Sequence, residues 1–133
     1  AYDCVVCAAM DARCNQVYVA LFRVNGGKVE RLTEEECLKT DEAARMLSEY
    51  DDDIMLVGDG AFIMKKATDD EGLENVKIAP DPLRYQTGYG VCLAAVNAPQ
   101  LTPEQLMPMY LKLPQAQREL MAKNAEAYKE RKE

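Results

Sequence analysis

Two aspartates and one arginine are the residues of this sequence best placed to do chemistry. Asp11 closes the apolar run Cys4-Val5-Val6-Cys7-Ala8-Ala9-Met10 and stands two positions before Arg13. Asp59 sits between Gly58 and Gly60, just after the apolar run Ile54-Met55-Leu56-Val57. If the two runs are neighbouring parallel strands, their C-terminal ends share the rim at which open α/β sheets bind ligands. Two carboxylates at such a rim can hold Mg²⁺, the chemistry of metal-dependent nucleases. No third or fourth carboxylate stands at a fixed spacing from them, and loop aspartates commonly cap backbone groups, so capping is the leading reading. Gly58-Asp59-Gly60-Ala61 leads from a strand into a helix, whose first amides favour anions, so Gly58, Asp59 and Gly60 form a nucleotide-like turn. The plainer reading is that the glycines let the chain turn sharply. Asp11 and Arg13 share a face if both are extended, and their pairing then orders the connection between two strands. A surface pair of that kind contributes about 0–1 kcal/mol.

What the chain lacks narrows the chemistry further. It has no histidine, the commonest general base and metal ligand, so histidine-based triad chemistry cannot run from these residues alone. Its 5 cysteines are an odd number in a chain of 133 residues that does not need staples, which favours reduced thiols and a cytoplasmic setting. Cys4 and Cys7 are three apart in a strand, so their side chains point to opposite faces and cannot chelate one ion. They read as small buried hydrophobes. The net charge of −7 opposes direct binding of nucleic acid, whose affinity rests on cationic contacts. The sequence holds no stretch of about 20 apolar residues to cross a membrane, and its start lacks the pattern of a signal peptide.

The elements that must position these residues follow from periodicity. Residues 3–10 read as a buried strand, and residues 16–24, rich in Val, Tyr and Phe, as a second. Asn25-Gly26-Gly27 supplies a hairpin turn, and residues 28–32 return as a charged edge strand. Thr33 and Glu36 have the spacing of a capping box before a helix near 41–50, with Ala43, Met46, Leu47 and Tyr50 on its apolar face. Ile54–Val57 is a buried strand, Ala61–Ala67 a helix start, 69–72 a loop and 76–78 a short strand. Residues 90–98 predict a buried helix stopped by Pro99, and Thr102-Pro103-Glu104-Gln105 a helical turn. Pro114 opens a last helix with a thin stripe of Leu120, Met121, Ala125 and Tyr128 and an i,i+4 pair of Glu119 with Lys123. The expected fold is α/β: a mixed sheet of about five strands, three antiparallel and then parallel, flanked by helices. This is the ribonuclease H-like pattern repeated in the lobes of actin-like ATPases.

Three blocks in order carry a resemblance: Asp11-Ala12-Arg13 with Val17-Tyr18, then Gly58-Asp59-Gly60-Ala61, then Pro108-Met109-Tyr110-Leu111-Lys112 with Gln115-Ala116-Gln117-Arg118-Glu119. Together they resemble the C-terminal half of the TsaB (YeaZ) family, glycoprotease-like proteins needed to make threonylcarbamoyladenosine in tRNA. Lys112 stands where that family commonly has an arginine, and the charged tail departs from it as well. The resemblance implies one lobe of an actin-like ATPase fold, with an N-terminal lobe absent from a longer protein. It implies a non-catalytic role beside TsaD, the transferase, and TsaE, a small ATPase. The family's partner contacts and its homodimer lie mostly in the other lobe, so this piece should bind TsaD poorly by itself. No cofactor is expected, a nucleotide entering only in the intact complex. Asp11, Arg13, Tyr110 and Lys112 are the residues assigned to partner contacts or to bracing the lobe. The rival expectation is an enzyme: a ribonuclease H-like nuclease using Asp11 and Asp59, or one lobe of a kinase.

Overall fold

Alternating burial along the first two strands sets the architecture. The computed structural model describes residues 3–96, 98–114, 116, 117, 120 and 121. In β1 (Cys4–Asp11), Val5, Cys7 and Ala9 are fully buried on one face, and in β2 (Gln16–Asn25), Val17, Val19 and Leu21 join them. The period of two puts the intervening residues on the opposite face. β1 and β2 pair antiparallel with Cys7 opposite Leu21, and β3 (Lys28–Arg31) adds an exposed edge to β2. On its other side β1 pairs in parallel with β5 (Ile54–Val57), which pairs in parallel with β6 (Val76–Ile78). The spatial order is β3-β2-β1-β5-β6, the expected mixed sheet with three antiparallel strands followed by parallel ones.

A sixth strand, β4 (Glu36–Lys39), pairs with the first half of β2 on the same side as β3. β3 and β4 are thus one interrupted edge, in which residues 32–35 lie opposite only Ala20 and Leu21. Thr33 holds this interruption. Its Oγ1 accepts the Leu21 N–H at 3.0 Å, and the Leu21 carbonyl accepts the N–H groups of Leu32 and Thr33 at 2.8 and 3.4 Å. This corrects the expected capping box: the Thr33 hydroxyl replaces a strand partner, and Glu36 lies in a strand.

The first helix, α1 (Thr40–Leu47), starts where expected, but its cap is local, with Glu42 Oε2 accepting the Lys39 N–H at 3.2 Å. Asp41 and Glu42 in its first turn complement the positive end of the helix dipole. Ala43 and Leu47 enter the core, with Met46 and Tyr50 packed beside them, as the spacing predicts. The second helix, α2 (Ala61–Asp70), runs past the expected boundary, so Asp69 is helical and the turn falls at Gly72 with φ 77°. Helices α1 and α2 cover one face of the sheet, and Ala61 and Met64 of α2 close the core over Ile54, Leu56 and Val76.

After β6 come α3 (Asp81–Arg84) and α4 (Gly88–Val96). The apolar run at 90–98 predicts a buried helix, and α4 does form there, but it buries none of its residues. The physical reason is that α1 and α2 already fill the face of the sheet that holds the core, while α4 starts from its own cap at Thr87. The turn at 102–105 forms as expected, with Thr102 N–H donating to Gln105 Oε1 at 2.9 Å and Gln105 N–H to the Thr102 carbonyl at 3.0 Å. Of the expected last helix, Gln115, Arg118, Glu119, Lys123, Ala125 and Tyr128 lie outside the described residues. Among the described residues no helix is long and apolar enough to cross a membrane.

Candidate functional site

Because β1 and β5 run parallel side by side, their C-terminal ends meet, and this places Asp11 and Asp59 at one rim. Asp59 Oδ1 accepts the Asp11 N–H at 3.0 Å. The Asp11 carboxylate is occupied in turn: Oδ1 accepts the Arg13 N–H at 2.7 Å, and Oδ2 pairs with Arg13 Nη1 at 3.2 Å. The pairing of Asp11 with Arg13 therefore forms, but not through extended backbone. Arg13, Cys14 and Asn15 adopt left-handed φ angles of 63°, 54° and 58°, and the aspartate closes a turn over them. Non-glycine residues pay for that conformation sterically, Asn least. Gln16 N–H donating to the Arg13 carbonyl at 3.1 Å and Ala12 N–H donating to the Gln16 carbonyl at 3.0 Å complete the turn.

The glycine turn is pressed against β1. A Cβ added to Gly58, whose φ is +94°, would lie 2.0 Å from the Ala9 carbonyl oxygen, and one on Gly60 would lie 3.0 Å from the same atom. The amides are used inside the fold: Gly58 N–H donates to the Arg84 carbonyl at 2.7 Å, Gly60 N–H to the Ala9 carbonyl at 3.0 Å, and Ala61 N–H to the Gly58 carbonyl at 3.3 Å. A phosphate cradle needs such donors turned outward. Here Gly58 and Gly60 allow β1 and the start of α2 to approach as backbone against backbone.

Lys112 joins the same corner from the far end of the chain. Its Nζ donates to the Ala12 carbonyl at 2.7 Å, tying residues 100 apart. Tyr110 is 84% exposed and lies along a groove of about 510 Å³ on the face of the sheet opposite α1 and α2. Ala8, Met10, Tyr18 and Phe22 floor this groove, Met109 and Leu111 edge it, and Glu35 and Lys112 are its charged residues. Asp11, Arg13, Gly58, Asp59, Gly60 and Lys112 thus gather around one corner, with Tyr110 alongside.

Arg84 belongs to this corner and carries no sequence signal that singles it out. Its guanidinium lies between the rings of Phe62 and Tyr85, 4.7 and 4.9 Å from their centroids, and pairs with Asp81 at 2.6 Å. Its Nε is buried without a hydrogen-bond partner, so the ring faces and the carboxylate supply the stabilisation. Cys7 is buried in the core, and burial pushes its thiol up to about 12 from an ordinary 9.0. The Cys4 thiol on the opposite face is also raised, first by burial and then by Asp53 and Asp3. Neither is poised as a nucleophile. Among the described residues no group of three or more His, Cys, Asp or Glu side chains converges to hold a metal ion.

No family model matches the chain, and no curated protein does. Among solved structures it is similar to the crystal structure of an uncharacterized protein from Pseudomonas aeruginosa with similarity to peptidase YeaZ. The TM-score is 0.56 at 18% identity over 83% of this chain. The chain spans about half of that protein, 50% of its length. At this identity the likeness speaks to the fold, and in fold the chain is a YeaZ-like α/β lobe: a mixed sheet flanked by helices.

Proposed function

We propose that this chain is a non-catalytic lobe of a TsaB-type protein, serving as a partner of the TsaD transferase and the TsaE ATPase that make threonylcarbamoyladenosine in tRNA. Three things support the reading: the ordered motifs, the YeaZ-like fold, and the way the rim residues are used. The last carries it. Asp11, Asp59, Gly58 and Gly60, the residues an actin-like enzyme would turn toward Mg²⁺ or a nucleotide, here bond to Arg13, the Asp11 amide, Arg84 and Ala9. A corner whose glycine amides and Asp11 carboxylate are used inside the lobe fixes a shape for a partner to meet, rather than performing bond chemistry of its own. On this reading the lobe belongs to a longer, cytoplasmic protein, and most of its contact with TsaD is made by the remainder.

Two measurements on the full-length protein test the proposal. Affinity capture should retain TsaD in stoichiometric amount. Titration calorimetry with Mg²⁺ and with ATP should give no saturable heat from this lobe. Failure to capture TsaD, together with micromolar stoichiometric nucleotide or Mg²⁺ binding lost in Asp59→Asn, would replace the scaffold reading with an enzyme.

A further inference from the structure

The open face of the sheet carries a notch written into the strand register. Ala8 of β1 faces Ala20 of β2, and the pairs on either side are larger: Met10 with Tyr18 toward the rim, Val6 with Phe22 away from it. Successive pairs on one face stand about 7 Å apart, so the two alanines leave a hollow of ring size between bulky neighbours. Met109, Tyr110 and Leu111 wall the hollow from the far end of the chain. The result is a groove of about 510 Å³, within the range of small-molecule sites. We propose that this groove binds a small aromatic carboxylate, its ring over the alanine pair and its carboxylate at Lys112.

Charge selects the polar end of the ligand. Glu35 and Lys112 are the charged residues of the groove. Glu35 is neutralised by Arg31 at 2.8 Å, and the Arg31 guanidinium lies 4.9 Å from the centroid of the Phe22 ring, so that end holds no free charge. The part-buried Lys112 ammonium donates to the neutral Ala12 carbonyl at 2.7 Å, and among the described residues no carboxylate pairs with it. An ammonium has further donors, which a ligand carboxylate can take as a charge-assisted pair. The lining selects the other end. Rings and thioethers favour an aromatic partner, and Tyr18, Tyr110, Met10 and Met109 supply both. Residues 109–112 already stand against the sheet, so the remaining space suits a small molecule and not a helix, whose diameter is about 10–12 Å. This site is on the open sheet face and stands whether or not the chain partners TsaD.

The chain contains no tryptophan, so an added indole, excited where tyrosine does not absorb, reports its own binding. Indole-3-acetate should bind saturably with a Kd at or below about 1 mM, its emission moving to the blue. Indole-3-acetamide, the same shape without the charge, should bind at least about 5-fold more weakly. Lys112→Gln should erase that preference, and Lys112→Arg should keep it. Ala8→Phe, which fills the notch, should weaken both probes at least about 10-fold with the circular dichroism of the lobe unchanged. The proposal is overturned by an emission that never saturates, by equal binding of acid and amide, by a preference that survives Lys112→Gln, or by binding indifferent to Ala8→Phe.

Discussion

Residues 4–79 and residues 80–113 belong to one chain but treat apolar side chains in opposite ways. The first region buries Val5, Leu21, Leu47, Leu56 and Met64 between a sheet and two helices. The second leaves Leu83, Tyr89, Leu106, Met107 and Tyr110 more than two-thirds exposed. Charge follows the same division. The first region places Arg23 with Asp52, Arg31 with Glu35 and Arg45 with Asp41 around its surface, whereas the second has only Asp81, Arg84, Glu104 and Lys112 as charged residues. The lesson is that the first region carries its own interior and the second presents its apolar side chains outward. Clustered exposed apolar side chains of this kind mark contact surfaces.

The largest effect that would break this contrast is expected at Gly58. Gly58→Ala drives a Cβ to 2.0 Å from the Ala9 carbonyl at a φ of +94°, so urea unfolding should show a loss of more than about 3 kcal/mol. Gly88→Ala in α4 meets nothing within 4 Å and should change stability by no more than about 1 kcal/mol. Next in size, Leu47→Ala in the core should cost about 2–5 kcal/mol. Leu106→Ala, 72% exposed in the second region, should stay within about 0.5 kcal/mol of the parent. Equal losses at Leu47 and Leu106 would mean the two regions share one core.

The interior of the first region can also be read by pH. The Cys7 thiol is neutral in the fold, and burial raises it to about 12, whereas the unfolded thiol ionises near its ordinary 9.0. The stabilisation is therefore fully present below about pH 9 and is lost as pH rises from there toward 12. Thermal melts of Cys7→Ala should be flatter across that window than those of the parent. A smaller effect is expected at the edge: Thr33→Val leaves the Leu21 N–H without its acceptor and should cost about 1–2 kcal/mol, while Thr33→Ser should retain most of it. The smallest change runs the other way. Cys14→Gly relieves a left-handed residue at φ 54° and should stabilise by up to about 1 kcal/mol in the same urea assay.

The first region was legible in the sequence because period and propensity agree there. The run from Cys4 and the Val-Tyr run from Gln16 can be little else than paired strands, and the shared rim of Asp11 and Asp59 followed from placing strand 54–57 beside the first. Thr33 misled because its spacing to Glu36 fits a helix cap, while the feature that decides its role is the Leu21 N–H, distant in sequence and invisible in a local window. The turn at Arg13-Cys14-Asn15 was hidden for a related reason: no glycine marks the left-handed backbone. Arg84 could not be picked out, since its environment is assembled from Phe62, Asp81 and the glycine turn. Apolarity gave the helix near 90–98 but wrongly implied its burial, since α4 buries none of its residues.

Amide hydrogen exchange of the wild-type chain tests the contrast most directly. Amides of β1, β2 and β5 should be strongly protected, while those of α4 should exchange far faster. Protection of α4 equal to that of β1, β2 and β5 would contradict the account.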